Sequence, residues 1–476
     1  MSKPRISFLS DSEIEAIHDA SLRVLEKTGV KVMSETAVDI LKKAGAKVKG
    51  DSSHVTIPRN LVEEALEMAP KTVKYGARNP KNDLELNGQK AHICAMGGAP
   101  FVLDIETGKW RYSTTEDNAQ FSTIADYLDN VHLTWALAHA NDVPGPLSNI
   151  VDMLVSLRNC EKHFEGDSTT AKEAQYQIEI ASAIVGGREE LRKRPIISFI
   201  NCTLSPLCYD KGTTEASIEL GRVGIPVVIY AAPTIGGTGP ATPAGTVLIN
   251  NAEVLGGLVI HQFANPGAPA VYGGALASID FKSGANIRSP EKNLMCQALS
   301  QLANYYGLPI ELTATGSTTS KALDMQAGYE RAIPTLPHLM ATPDIVLGTG
   351  SLEVSRMTVA EALVIDNEIM DYALRYIEGF EVNEDTLAVD IIDKVGPAKN
   401  FLGEKHTVQN FRERWTPRLG DIDSYEKWEE KGSRTIDVLA KEKVKEILAT
   451  HKAAPLPEDV EQEIGRIMKR AEAELL

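Results

Sequence analysis

The chain has 476 residues, 49 Lys+Arg against 65 Asp+Glu and a formal charge of −16, with 43% hydrophobic and 24% charged residues. That balance excludes a disordered or fibrous chain, and the acidic excess argues against nucleic acid as a partner, because phosphates need a basic face. No stretch reads as a membrane span, and the N-terminal MSKPRISFLSDSEIE lacks an apolar core before a cleavage site, so a cytoplasmic protein is expected.

In chain order, Ser10 and Glu13 form a capping box for a helix whose Ile14, Ile17, Ala20, Val24 and Leu25 share one face, and Gly29 stops it. Residues 1–90 read as an α-rich extension with short amphipathic pieces at 37–44 and 58–68. From 91 to 112, Gly-interrupted β chemistry predicts a hairpin turning at Glu106-Thr107-Gly108. Apolar runs then recur at 131–135, 162–165, 195–201, 225–230, 270–274, 308–313 and 344–347. Each precedes a Gly/Ser/Thr loop and a helical stretch, such as 171–185, 213–223, 250–263 and 290–306. Continuous apolar strands alternating with helices mean parallel βαβ units covered on both faces.

Seven such strands without a dinucleotide fingerprint predict an α/β fold, a (β/α)8 TIM-type barrel over 91–400. The eighth strand is expected from the hairpin region or from beyond Tyr376. Residues 401–476 read as a C-terminal helical extension, with a loop-rich passage at 395–414, a charged helix at 425–451, a break at Pro455 and Pro457, and a last helix at 458–475. These pieces offer material for a homo-oligomer.

The strand ends are where such barrels do chemistry. Asn201, Tyr230, Glu353 and Arg356 stand there, while Asp324, Gln326 and Glu330 read as a helix opening and Lys321 as locally paired. The loop at 236–245 has the glycines to cradle a phosphate but no nucleotide motif; close approach to a bulky partner or cofactor suits it as well. Cys202 and Cys208 make C-x5-C, which is no usual zinc spacing, and no His stands at a ligand spacing, so no metal is expected on this chain. Residue types alone stop at an α/β barrel, with its chemistry open.

Several passages carry more. GLPIELTATGSTTSKALDMQAGYE, PDIVLGTGSLEVSRMTVAEALVIDNEI and VGPAKNFLGEKHTVQNFR resemble the trimethylamine methyltransferase superfamily. So do LSDSEIEAIHDASLRVLEKTGV, SFINCTLSPL and NAEVLGGLVIHQFANPGAPAVYGG, and the resemblance runs in order through nearly the whole chain. It implies a (β/α)8 barrel that moves a methyl group from a methylated amine to the cobalt of a separate, cognate corrinoid (cobalamin) protein. The trimethylamine-specific members carry pyrrolysine just ahead of a K-x-x-D-x-Q-A-G segment, which here begins at Lys321 and ends at Gly328. The pyrrolysine position falls on Ser317 or Thr318.

Without that imine electrophile, the resemblance implies a non-pyrrolysine member acting on a quaternary amine of betaine type. Glycine betaine leads, with proline betaine, carnitine and γ-butyrobetaine behind it. Such a donor already has a neutral tertiary amine as leaving group, so no catalytic acid, base or metal is required of this chain. Expected substrate contacts are Phe101, Tyr230 and Trp135 as aromatic faces, Glu311 and Glu353 as negative charges, and Arg356 as a carboxylate fork, with Asn201 a neutral donor. The rival readings are a barrel lyase or isomerase working through an acid/base pair, and a protein that binds quaternary amines without turnover.

Overall fold

The computed structural model describes residues 4–49, 53–313 and 318–476. Eight parallel strands close a barrel in chain order: β1 (His92–Ala95), β2 (Leu133–Trp135), β3 (His163–Asp167), β4 (Ile197–Cys202), β5 (Val227–Ala231), β6 (Ala270–Gly274), β7 (Ile310–Thr313) and β8 (Ile345–Thr349). The expected (β/α)8 class holds, and all seven apolar runs are barrel strands. The eighth strand is β1, from the hairpin region; it closes the ring by pairing with β8.

A helix follows each strand: α1 (Thr115–Tyr127), α2 (Gly145–Asn159), α3 (Ala171–Val185), α4 (Lys211–Val223), α5 (Pro243–Ala264), α6 (Pro290–Tyr306), α7 (Met325–Met340) and α8 (Ala360–Glu378). Thr114, Thr170, Asp210, Ser289 and Asp324 accept a backbone N–H at the start of α1, α3, α4, α6 and α7. Each of these caps therefore marks the point where a loop at the C-terminal end of the strands turns into a helix.

Period-2 alternation sorts the strand residues. Leu133, Ile200, Val228, Val271, Ile345 and Leu347 fill the barrel interior, while their neighbours Ile197, Phe199, Val227, Ile229 and Val346 pack outward on helices. The N-terminal end of the barrel is sealed by a hairpin, Val73–Tyr75 with Leu84–Leu86, which the α-rich expectation for residues 1–90 missed. A four-stranded sheet of Cys208–Tyr209, Val30–Val32, His54–Thr56 and Lys47–Lys49 was missed too, because strands of two or three residues are too short to show a period. Tyr75 plugs the floor by stacking on His163 with ring centroids 4.1 Å apart, and the Gly76 N–H reaches the Pro195 carbonyl at 2.7 Å. Access to the interior is therefore from the other end.

α5 is long and apolar enough, by length and composition alone, to cross a membrane, which the sequence reading did not register. Its Val254, Leu255 and Leu258 lie at 0–1% exposure against Leu22, Leu25, Leu41 and Val62 of the N-terminal extension, so burial inside the protein explains its composition. The expected helix at 425–451 is two, Tyr425–Glu430 and Ile436–Thr450. The chain breaks where Gly432 and Ser433 both take positive φ. Ala440, Val444 and Ile447 of the second piece pack on α1 and α8, and Ile464 and Ile467 of the last helix pack on α2 and α3.

Candidate active site

At the open end, inward-facing residues of successive strands form an arc. On β3, His163, Glu165 and Asp167 share the inner side, and Asp167 comes last, at the mouth. The Trp135 indole N–H donates to its carboxylate at 3.2 Å, and Gly97 lies so close to the indole face that a Cβ there would sit 2.0 Å from it. Burial pushes the Asp167 carboxyl up to about 7, against the Trp135 hydrogen bond. Cys202 ends β4 and is exposed, so the mouth is open. On β5, the Tyr230 ring occupies the space that a side chain at Gly273 would need, and its hydroxyl bonds the Thr313 hydroxyl of β7.

Two cations stand beside this arc at the β6–α6 corner, lining a cleft with Tyr329 and Glu330 of α7. Arg288 is half-buried, and burial pulls its guanidinium down to about 10 despite the nearby Cys296, Glu330 and Tyr230. Lys292 is 3% exposed, donates to the Thr313 carbonyl at 3.0 Å, and is pulled down to about 7 by burial and then by the Arg288 charge. On the opposite side His139, after β2, bonds Asp152 of α2 at 2.7 Å, which holds its imidazole above the usual range.

Below the arc lies an acidic pair. Glu311 of β7 is 0% exposed and sits against Glu165 of β3, which accepts from Ser198 at 3.0 Å and from Tyr75 at 3.3 Å. Burial drives both carboxyls up, Glu165 to about 7 and Glu311 further, because two charges cannot coexist in that space. Glu311 therefore faces Glu165 inside the barrel, one inward position beneath Thr313.

The loops after β7 and β8 are held by the segments that carry the family resemblance. Asp324 caps α7, and Glu330 accepts from Thr318 Oγ1 at 2.6 Å, from the Thr319 N–H at 2.7 Å and from Gln326 at 2.9 Å. Lys321 donates to the Thr319 carbonyl at 2.8 Å, a local pairing as expected. Buried Arg331 pairs with Asp366 of α8 and donates to the Ser351 carbonyl at 2.6 Å, pinning the β8 loop. That loop touches Thr318 through the Val354 N–H at 2.7 Å, and Glu353, Val354 and Ser355 all take positive φ, a strained run. Ser317, the other candidate pyrrolysine position, lies outside the described residues.

The remaining candidates collect at the rim. Phe101 is on a four-stranded sheet of Ser351–Leu352, Met357–Thr358, Phe101–Leu103 and Trp110–Tyr112, stacked on Trp110 at 4.2 Å between ring centroids. Arg356 lies over the Phe101 ring at 5.6 Å and pairs with Glu353 at 3.2 Å, its side chain 59% exposed. Asn201 stays half-buried near the end of β4. The Gly236 loop closes on itself: the N–H groups of Gly236, Gly237 and Gly239 bond Pro240 and Thr234 carbonyls, and Gly236 packs on Phe281. Those donors are spent, which removes the phosphate-cradle reading.

Sequence reasoning thus found Trp135 and Tyr230 of the arc and missed Asp167, Arg288, Lys292 and His139. HFEGD carried a signal, since alternation from His163 puts Asp167 inward.

The sequence profile described as trimethylamine methyltransferase (MTTB) matches residues 1–475. A glycine betaine methyltransferase of Desulfitobacterium hafniense (strain Y51) is 33% identical over 429 residues, 89% of this chain and 89% of that one. The trimethylamine methyltransferase MttB of Methanosarcina barkeri is 33% identical over 473 residues, 98% of this chain and 95% of that one. Among solved structures, the Methanosarcina barkeri monomethylamine methyltransferase (MtmB) superposes with a TM-score of 0.54 at 10% identity, covering 98% of this chain and 88% of that one.

Proposed function

For a chain that belongs to the trimethylamine methyltransferase family, we propose a betaine-type quaternary amine as methyl donor and Co(I) of a separate corrinoid protein as acceptor. Membership makes it a methyltransferase, which sets aside the lyase and the pure binding protein. Identity does not choose the substrate, since glycine betaine and trimethylamine enzymes match at the same 33%. The residues favour the betaine. The loop that carries pyrrolysine in trimethylamine enzymes reads ATGSTTS here, and the mouth combines aromatic and acidic groups with half-buried Arg288 and buried Lys292.

The observation that carries the proposal is that combination in one arc. Trp135 and Tyr230 offer faces to an ammonium, at ~0.5–2 kcal/mol per contact, and Asp167 offers it a carboxylate. Arg288 fits the substrate's own carboxylate better than Arg356, because a partly desolvated guanidinium bonds carboxylate more strongly than one on the rim. Lys292 stands behind it, its ammonium weakened by burial and by the Arg288 charge. The exposed end of β4 leaves room for a bulky partner, whose corrinoid supplies an electron pair to the methyl carbon. As the C–N bond breaks, its pair stays with nitrogen, which leaves as a neutral tertiary amine, and no proton moves. This chain's part is to bind, orient and desolvate the donor.

The test is anaerobic absorbance of Co(I) on the cognate corrinoid protein, mixed with this chain and one amine at a time. Loss of the Co(I) band with a betaine and none with trimethylamine is expected. Equal or preferential consumption of trimethylamine overturns the proposal, as does an unchanged band with every betaine.

A further inference from the structure

From Phe380 to Leu439 the chain holds a single buried residue, Val395. Short helices at Glu384–Leu387, Val389–Val395 and Lys405–Asn410 and the segments beside them expose large apolar side chains, with Phe380 at 73%, Val408 at 63% and Leu402 at 81%. Scattered exposed apolar residues are ordinary, but a stretch that buries almost nothing gains too little to fix its own conformation. Residues 415–420 are tied to α8, where Trp415 donates to Asp371 at 2.7 Å and the Arg418 and Gly420 N–H groups to Glu368 at 2.7 Å, and the rest lies open to a partner.

The charge pattern says which partner. Residues 380–393 hold five acids (Glu381, Glu384, Asp385, Asp390, Asp393) and no base. Residues 394–418 hold six bases against two acids, in a chain whose net charge is −16. Lys394 pairs with Glu404 at 2.6 Å and Arg418 with Asp129 at 3.0 Å. Among the described residues no ion pair uses the five acids, nor Lys399, Lys405, Arg412 or Arg414. One arm thus carries an acidic half outside any ion pair among the described residues and a basic half with four of its six bases outside any, both set among exposed apolar residues. A two-fold axis brings the same patch of two copies together, so a stable pairing needs a self-complementary patch, and this arm is one.

Its position fits. The arm leaves α8 at the floor of the barrel, where Arg414, Trp415 and Arg418 line a cleft of about 760 Å³ with Lys90, Arg375 and Pro343. That is the end opposite the substrate mouth, so a partner docked at the mouth does not cover it.

We propose that residues 380–418 are a docking arm for a second copy of this chain, the acidic half of each arm meeting the basic half of the other. The inference is independent of which amine is used. Sedimentation or light scattering of the full chain tests it. The wild type is expected to be a dimer, or a larger assembly built on that dimer.

A K399E/K405E/R412E variant is expected to weaken association at least about tenfold, and adding E384K/D385K/D390K to the same chain to restore it. L402E/V408E is expected to give monomers with an unchanged circular dichroism spectrum, because both side chains lie outside the core. A wild type that stays monomeric at tens of micromolar refutes the proposal. So does an assembly indifferent to these changes, or one lost to the basic-half reversal and not recovered by the combined set.

Discussion

The mouth arc and the rim sheet are built from the same kinds of side chain. The arc has Trp135 and Tyr230, the carboxyl of Asp167 and the guanidinium of Arg288. The rim has Phe101, Trp110 and Tyr112, the carboxylate of Glu353 and the guanidinium of Arg356. They differ in solvent. On the rim, Arg356 and Glu353 satisfy each other in water at 3.2 Å, and an exposed pair of that kind contributes about 0–1 kcal/mol. In the arc, burial moves Asp167 up to about 7 and Arg288 down to about 10, so both gain from a ligand of opposite charge. Composition made the two regions look equivalent; strand parity and depth separate them.

The largest effect should come from Arg288. R288A is expected to lower kcat/KM for a carboxylated quaternary amine about 100-fold, roughly 3 kcal/mol, and to change choline-like donors without a carboxylate much less. Steady-state methyl transfer with both donor types checks the split. A loss equal for the two donors would mean that Arg288 shapes the mouth rather than reading the carboxylate.

Stability offers the next test. The Glu165–Glu311 pair keeps protons that the unfolded chain, with carboxyls near 4.5, has lost. The folded state therefore binds more protons from about 4.5 upward, and stability falls as pH rises through 7 and beyond, until the higher-titrating Glu311 has ionised too. Glu311→Gln should flatten the fall and raise stability at pH ~8, read by thermal melts across pH.

Asp167 sharpens the comparison at the site itself. A bound ammonium lowers its carboxyl from about 7, so binding releases a proton and affinity rises from pH ~6 to ~8. Asp167→Asn should raise KM about tenfold at pH ~8 and remove that pH dependence. The smallest change is expected on the rim, where R356A should alter kcat/KM by no more than about twofold. A large loss there, with R288A near wild type, would reverse the assignment.

Much of this was legible in the residues. The seven apolar runs were long enough to be strands, and Ser10, Glu13, Gly29 and the Glu106–Gly108 turn stand where capping and turn chemistry put them. β1 hid because four residues, HICA, precede Gly97 and Gly98 and look like part of a hairpin. Tyr230 and Trp135 were visible as aromatics at strand ends. Asp167 was lost because the second apolar run was ended two residues early, at Glu165. Arg288 precedes the Ser289 cap and Pro290, so it looked like an ordinary helix start; only the closed barrel brings it beside Tyr230. The K-x-x-D-x-Q-A-G residues that betray the family turn out to hold loops in place.

The most direct test needs no partner protein. Calorimetric titration of the chain with glycine betaine, choline and trimethylamine asks which chemistry the mouth accepts. The account predicts the tightest binding for a carboxylated quaternary amine, weaker binding of choline and none measurable for trimethylamine. Trimethylamine bound as tightly as any betaine would contradict it.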